Sequence, residues 1–138
     1  MLRRVLLAAF AYMVVTFAIA VPWHLLVFKE LYDSFGLYNR AVPLASLGVL
    51  SMAVQGLVLA VVYARWQRGG HPVAEGVKFG LLFGAFLYSV STLANVAKMN
   101  VDHAGTFFAV QALFHFLQFA LAGAAVGLVF GRRVESAA

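Results

Sequence analysis

Cysteine is absent from the 138-residue sequence, which excludes disulfides, thiolate metal sites, iron–sulfur clusters and cysteine-linked lipid anchors. Acidic residues are nearly as scarce. Five Asp and Glu stand against ten Lys and Arg, and none of the five lies in the middle of a long apolar run. The membrane-embedded carboxylate that proton-coupled multidrug transporters use is therefore missing. Charged residues make up 11% of the chain and hydrophobic residues 64%, where an ordinary soluble domain has about 25% and 45–50%. With a mean hydropathy of +0.92, this is the composition of an integral membrane protein. Residues 1–138 leave no room for a second domain of useful size.

Chemical motifs are missing as well. There is no nucleophile elbow, no Gly-rich phosphate loop, no H-E-x-x-H and no carboxylate pair at a useful spacing, so no catalytic residue is assigned. Ser46, Ser51, Ser89 and Ser91 read as helix-packing residues. The formal charge of +5 does not point to nucleic acid, because the basic residues sit at the ends of apolar runs and not on one face.

Four long apolar runs remain, at about Val5 to Phe28, Val42 to Ala64, Val77 to Ala97 and Thr106 to Phe130. A spanning helix needs about 20 residues, and lipid offers no water to an open backbone, so all four are expected to be transmembrane helices in an antiparallel bundle. The first run imitates a secretory signal, with Arg3-Arg4 before it and Ala18-Ile19-Ala20 inside it. Its apolar character continues through Phe28, so it is read as a retained span.

Positive charge sets the expected orientation. Arg3, Arg4, Arg65, Arg68, Lys78, Arg132 and Arg133 flank one side, while Lys29, Arg40 and Lys98 flank the other. The excess places both termini in the cytoplasm of a bacterial inner membrane, with Trp23, Tyr32 and Tyr38 at the outer interface and Tyr63 and Trp66 at the inner one. Asn39 and Asp102 are expected N-caps, and Pro72 with Glu75 fits a first helical turn. Pro22 is expected to kink the outer end of the first helix.

An offset of 69 residues aligns Lys29, Asp33 and Gly36 with Lys98, Asp102 and Gly105, a shared K-x-x-x-D-x-x-G at each outer loop. Gly56-Leu57-Val58 also matches Gly127-Leu128-Val129. Two parallel-repeated hairpins are one reading, and chance matching among apolar segments is the other.

Two surfaces compete for a role. Gly80-x-x-x-Gly84 and Gly123-x-x-x-Gly127 form small-residue ridges for helix packing, either inside the bundle or between copies in an oligomer or larger membrane complex. Gln111, His115 and Gln118 form a polar stripe at i, i+4 and i+7, expected to face Gln55 and Ser89, Thr92 or Asn95. Together with His24 these define a candidate pocket (His24, Thr92, Asn95, Gln111, His115, Gln118), opening outward beneath loop residues Lys29, Asp33, Lys98, Asp102 and His103. Phe107, Phe108, Phe114, Phe116 and Tyr88 are its expected aromatic walls, suited to a small polar or amphipathic ligand. No metal site is assigned, since the histidines lack ligand spacing. No cofactor is assigned either, although His24 and His115 could supply the axial positions of a b-type haem.

Val21-Pro22-Trp23-His24 with Phe28-Lys29-Glu30-Leu31-Tyr32, the Gly76-x-x-x-Gly80-x-x-x-Gly84 run and a Gln/His fourth helix ending in small residues resemble the layout of small uncharacterised four-helix bacterial inner-membrane proteins. That likeness implies a fold and a location but no reaction. The sequence thus supports a non-enzymatic oligomeric or accessory component, with a ligand carrier or sensor and a haem protein as alternatives.

Overall fold

The computed structural model describes residues 1–37 and 40–131. Tyr38, the expected cap Asn39, and Arg132 and Arg133 lie outside the described residues. Four helical spans, Leu2–Val27, Ala45–Trp66, Pro72–Val96 and Ala104–Phe130, are long and apolar enough to cross a membrane. They form an antiparallel all-helical bundle. Arg4 donates to the carbonyl of Phe130 at 3.4 Å, which brings the start of the first span and the end of the fourth to one end of the bundle. The opposite end carries the loops near Asp33 and Asp102.

The first span is α1 (Leu2–Pro22) extended by a π-helical turn (Trp23–Val27), followed by the short α2 (Lys29–Asp33). The second span is α3 (Ala45–Trp66). The third consists of α4 (Pro72–Tyr88), a second π-helical turn (Ser89–Leu93) and the short α5 (Ala94–Val96), and the fourth is α6 (Ala104–Phe130).

Local chemistry explains most boundaries and corrects several expectations. The second span starts at Ala45, not Val42, because Pro43 disfavours a helical conformation at Val42. The third begins at Pro72, five residues earlier than Val77, since proline suits the first helical position and Glu75 the first turn. Asp102 does not cap α6. The cap is His103, in a left-handed conformation at φ 53°, and Asp102 instead donates its backbone N–H to Phe35 at 3.2 Å. Pro22 ends α1 without breaking the span. It is followed by a wider turn in which Phe28 N–H reaches Trp23 O at 3.0 Å.

The packing order is α3–α1–α6–α4. Helix α6 is the centre, with 50% of its most apolar stretch buried against 17% for the second span. It packs most extensively on α4 and then on α1, whereas α3 packs on α1 and barely on α6. The α4–α6 contact is made by glycine. A β-carbon at Gly76, Gly80, Gly123 or Gly127 would collide with a backbone carbonyl of the facing helix, at Gly123, Phe119, Gly76 and Pro72 respectively. Gly84 sits on the side chain of Phe119 in the same row. The ridge that could have served as a seam between copies is therefore occupied within the chain. Gly56 makes the corresponding approach of α3 to Ala9 and Tyr12 of α1.

The two hairpins share a glycine on the second helix against the first, and a π turn near the loop end of the first. They are not joined symmetrically. The α1–α6 side is sealed by Ala8, Ala9, Tyr12, Phe119, Ala122 and Val126, all buried. Among the described residues, the aromatic contacts across the α3–α4 side lie near the terminal end: Tyr63 meets Phe79 edge-on at 5.1 Å, and Trp66 lies 5.3 Å from the same ring. Towards the loop end residues 41–51 are exposed throughout, and α3 makes little direct contact with α4.

The seam makes a direct stability prediction. Gly80→Ala should destabilise the bundle by about 1–3 kcal/mol, the usual cost of forcing a methyl into a filled contact. Gly105→Ala, where nothing lies within 4 Å, should leave the thermal unfolding midpoint in detergent unchanged or slightly raised.

Candidate functional site

Between α3 and the third span lies a cleft of about 250 Å³, in the loop-end half of the bundle. All four spans line it: Thr16 and Ala20 from α1, Gly48, Ser51, Met52 and Gln55 from α3, Leu87 and Ser91 from the third span, and Phe114, His115, Gln118 and Phe119 from α6. Of the six pocket residues expected from sequence, His115 and Gln118 face it. Both are buried, and they sit four and seven residues from Gln111, so one stripe of α6 delivers them.

A chain of hydrogen bonds crosses the cleft floor. Gln118 Nε2 donates to Thr16 Oγ1 at 3.3 Å and, at 3.5 Å, to the Tyr12 hydroxyl. Tyr12 donates to Gln55 Oε1 at 2.7 Å, and Gln55 Nε2 donates to Ser51 Oγ at 2.9 Å. Polar side chains from three helices are thus satisfied mainly by one another, as lipid requires. Gln118 Oε1 and the Ser51 hydroxyl proton have no hydrogen-bond partner among the described residues.

His115 sits beside this chain. Its Nδ1 lies 2.7 Å from the Gln111 carbonyl, which can only accept, so Nδ1 carries a proton. Its Nε2 lies 2.9 Å from Ser91 Oγ. The same hydroxyl is 2.7 Å from Leu87 O, so a single proton has two acceptors. Whenever Ser91 turns to its own helix, Nε2 of the neutral ring is left as an acceptor facing the cleft.

The other expected pocket residues are elsewhere. Gln111 belongs to a cap over the loop end, where Trp23 Nε1 donates to the Tyr32 hydroxyl and Tyr32 donates to Gln111 Oε1, each at 3.1 Å. Tyr32, Phe35 and Phe107 form the buried centre of that cap, so Phe107 is not a cleft wall. His24 is half-buried, with Nδ1 at 2.9 Å from Ala20 O and its ring against Tyr32 and Phe114. Asn95 is exposed and donates to Ser91 O. Thr92 is fully buried within the π turn, and its hydroxyl has no partner among the described residues. Phe108 accepts at its carbonyl from the Tyr88 hydroxyl, and Phe116 is exposed, so of the expected aromatic walls Phe114 alone lines the cleft.

The charged loop residues do not line the cleft either. Lys29 and Asp33 pair with each other in solvent, and the carboxylate beside it raises the Lys29 pKa. Lys98, Asp102 and His103 are exposed above the cap. Among the described residues no three His, Asp or Glu side chains come together as a metal-binding group. Phe114 packs against both candidate haem ligands, with ring centroids 4.6 Å from His24 and 5.6 Å from His115. Both imidazoles direct Nδ1 to a carbonyl, an arrangement that orients Nε2 for ligation, yet only His115 reaches the cleft.

Sequence reasoning missed Tyr12, Thr16, Ser51 and Ser91 as partners of the polar stripe. Comparison with protein-family models, curated proteins and solved structures finds no match for the chain.

The hydrogen-bonded floor has a measurable signature. Tyr12→Phe should cost about 0.6 kcal/mol, the average for such bonds in membrane proteins. A double-mutant cycle of Tyr12→Phe with Gln55→Leu, read by denaturant titration in mixed micelles, should return most of that as coupling.

Proposed function

We propose that this multi-pass membrane protein binds a small neutral, hydrogen-bonding molecule in the cleft between its two hairpins, as a carrier or sensor in place of an enzyme. The observation that carries this reading is the cleft's chemistry. It offers the Gln118 carbonyl and His115 Nε2 as acceptors and the Ser51 hydroxyl as a donor, and no charged side chain is among its lining residues. An apolar surround with a few convergent polar groups is the usual form of a small-molecule site. An ionic ligand would find no counter-charge there.

The excess of Arg and Lys at the terminal end supports an inner-membrane orientation with both termini cytoplasmic, so that the cleft opens in the outer half. The role of accessory component in an oligomer loses its main support, because Gly80, Gly84, Gly123 and Gly127 are already used in the α4–α6 contact within one chain. Haem remains a separate reading that rests on the Nδ1 geometry of His24 and His115.

The test is gentle purification followed by native mass spectrometry with a visible absorption spectrum. The expected result is a copurifying mass without a Soret band, lost in both Gln118→Leu and His115→Ala while the fold is retained. A protein that carries no small molecule from any membrane extract, or whose bound mass survives both substitutions, contradicts the reading. A Soret band lost in His115→Ala transfers it to haem.

A further inference from the structure

We infer that the terminal end holds a binding site for an anionic phospholipid, in the groove between α1 and α3. Two adjoining cavities share Met1 and Ala64 as walls there. The larger, about 390 Å³, is walled by Leu2, Val5, Val61 and Ala64 and edged by Arg65. The smaller, about 180 Å³, is edged by Arg4 and closed by Gln67 and Phe130. An aliphatic trough between two guanidinium groups matches a molecule with an acyl chain and a phosphate, and it matches neither a free anion nor a neutral lipid fully.

Depth and charge point the same way. Arg65 lies one residue before the end of its span and Arg4 two residues after the start of the first, the positions at which basic side chains reach the headgroups. Their present hydrogen bonds go to carbonyls, Arg65 to Val61 at 3.2 Å and Arg4 to Phe130 at 3.4 Å. Each guanidinium has further N–H donors left over. Among the described residues, no carboxylate pairs with Arg3, Arg4, Arg65 or Arg68, whereas Lys78 has Glu75 at 3.9 Å. The cationic rim is uncompensated among the described residues, and basic pockets between spans are where phosphate headgroups bind. Arginine can clamp such a group through two parallel N–H donors. The site is separate from the cleft, which lies in the other half of the bundle.

The test uses the full chain in detergent, exchanged with equal amounts of phosphatidylglycerol and phosphatidylcholine of matched acyl chains and read by native mass spectrometry. Phosphatidylglycerol should be retained in preference by roughly fivefold or more, the ratio that about 1 kcal/mol from one basic side chain at a membrane surface gives. The double substitution R4Q/R65Q should remove the preference, and K78Q, which removes the same kind of charge from α4, should keep it. Equal retention of the two lipids overturns the inference, as does equal loss in both variants, which would mark a diffuse charge effect. Full displacement by millimolar inorganic phosphate also overturns it, since the site would then recognise the anion alone.

Discussion

Backbone contact between α4 and α6 governs the architecture. In lipid no hydrophobic effect drives helices together, so close packing must do it, and glycine rows let two backbones meet along Gly76, Gly80, Gly123 and Gly127. Once α4 is fixed to α6, the other face of α6 is free for α1, and Tyr12, Thr16 and Gln118 are brought within hydrogen-bonding distance. Helix α3 has its own glycine approach to α1 at Gly56, and its aromatic hold on the second hairpin is Tyr63 and Trp66 against Phe79 and Phe130. The cleft follows from that imbalance. One interface between the hairpins is closely packed, and the other is held by few contacts, its aromatic ones near the terminal end.

The polar residues of the spans divide accordingly. Near the loop end, Trp23, Tyr32 and Gln111 stitch α2 over the bundle and satisfy one another. In the middle, Tyr12, Gln55 and Gln118 link three spans. Between them His115 and Ser91 face open space with hydrogen-bonding capacity to spare. A polar network that is only partly satisfied in a low-dielectric setting is costly, and a bound molecule would supply the missing partners.

Much of this was legible in the sequence, for physical reasons that also mark where legibility stopped. The four spans follow from length and apolarity alone, and the Gln111–His115–Gln118 stripe from helical periodicity. The stripe's partners were less visible. Tyr12 with Thr16 and Ser51 with Gln55 have the same four-residue spacing as Gln111 with His115, so a search for polar pairs on every span would have found them. Gln111 and His115, although neighbours on one helix face, serve different networks, because α2 folds back and presents Tyr32 to the first of them. No periodicity on α6 encodes where α2 goes. Likewise a Gly-x-x-x-Gly ridge reads the same whether it meets its own chain or another, and only the placement of α4 resolves that. The K-x-x-x-D-x-x-G match hinted at two related hairpins, but not at the asymmetry between them: Lys29 and Asp33 pair with each other, while Asp102 turns its backbone N–H to Phe35.

The chain's lack of cysteine makes accessibility the most direct probe of the cleft. Single cysteines would replace Ser51 and Ser91 in the cleft and, as a lipid-facing control, Leu82, which is 60% exposed on the bundle surface. Each would then be treated in liposomes with a small, water-borne thiol reagent. An open, hydrated cleft predicts that both cleft thiols react while the Leu82 position stays inert. Cleft thiols as inert as the control would contradict the account, because α3 and α4 would then be closed against each other along their full length.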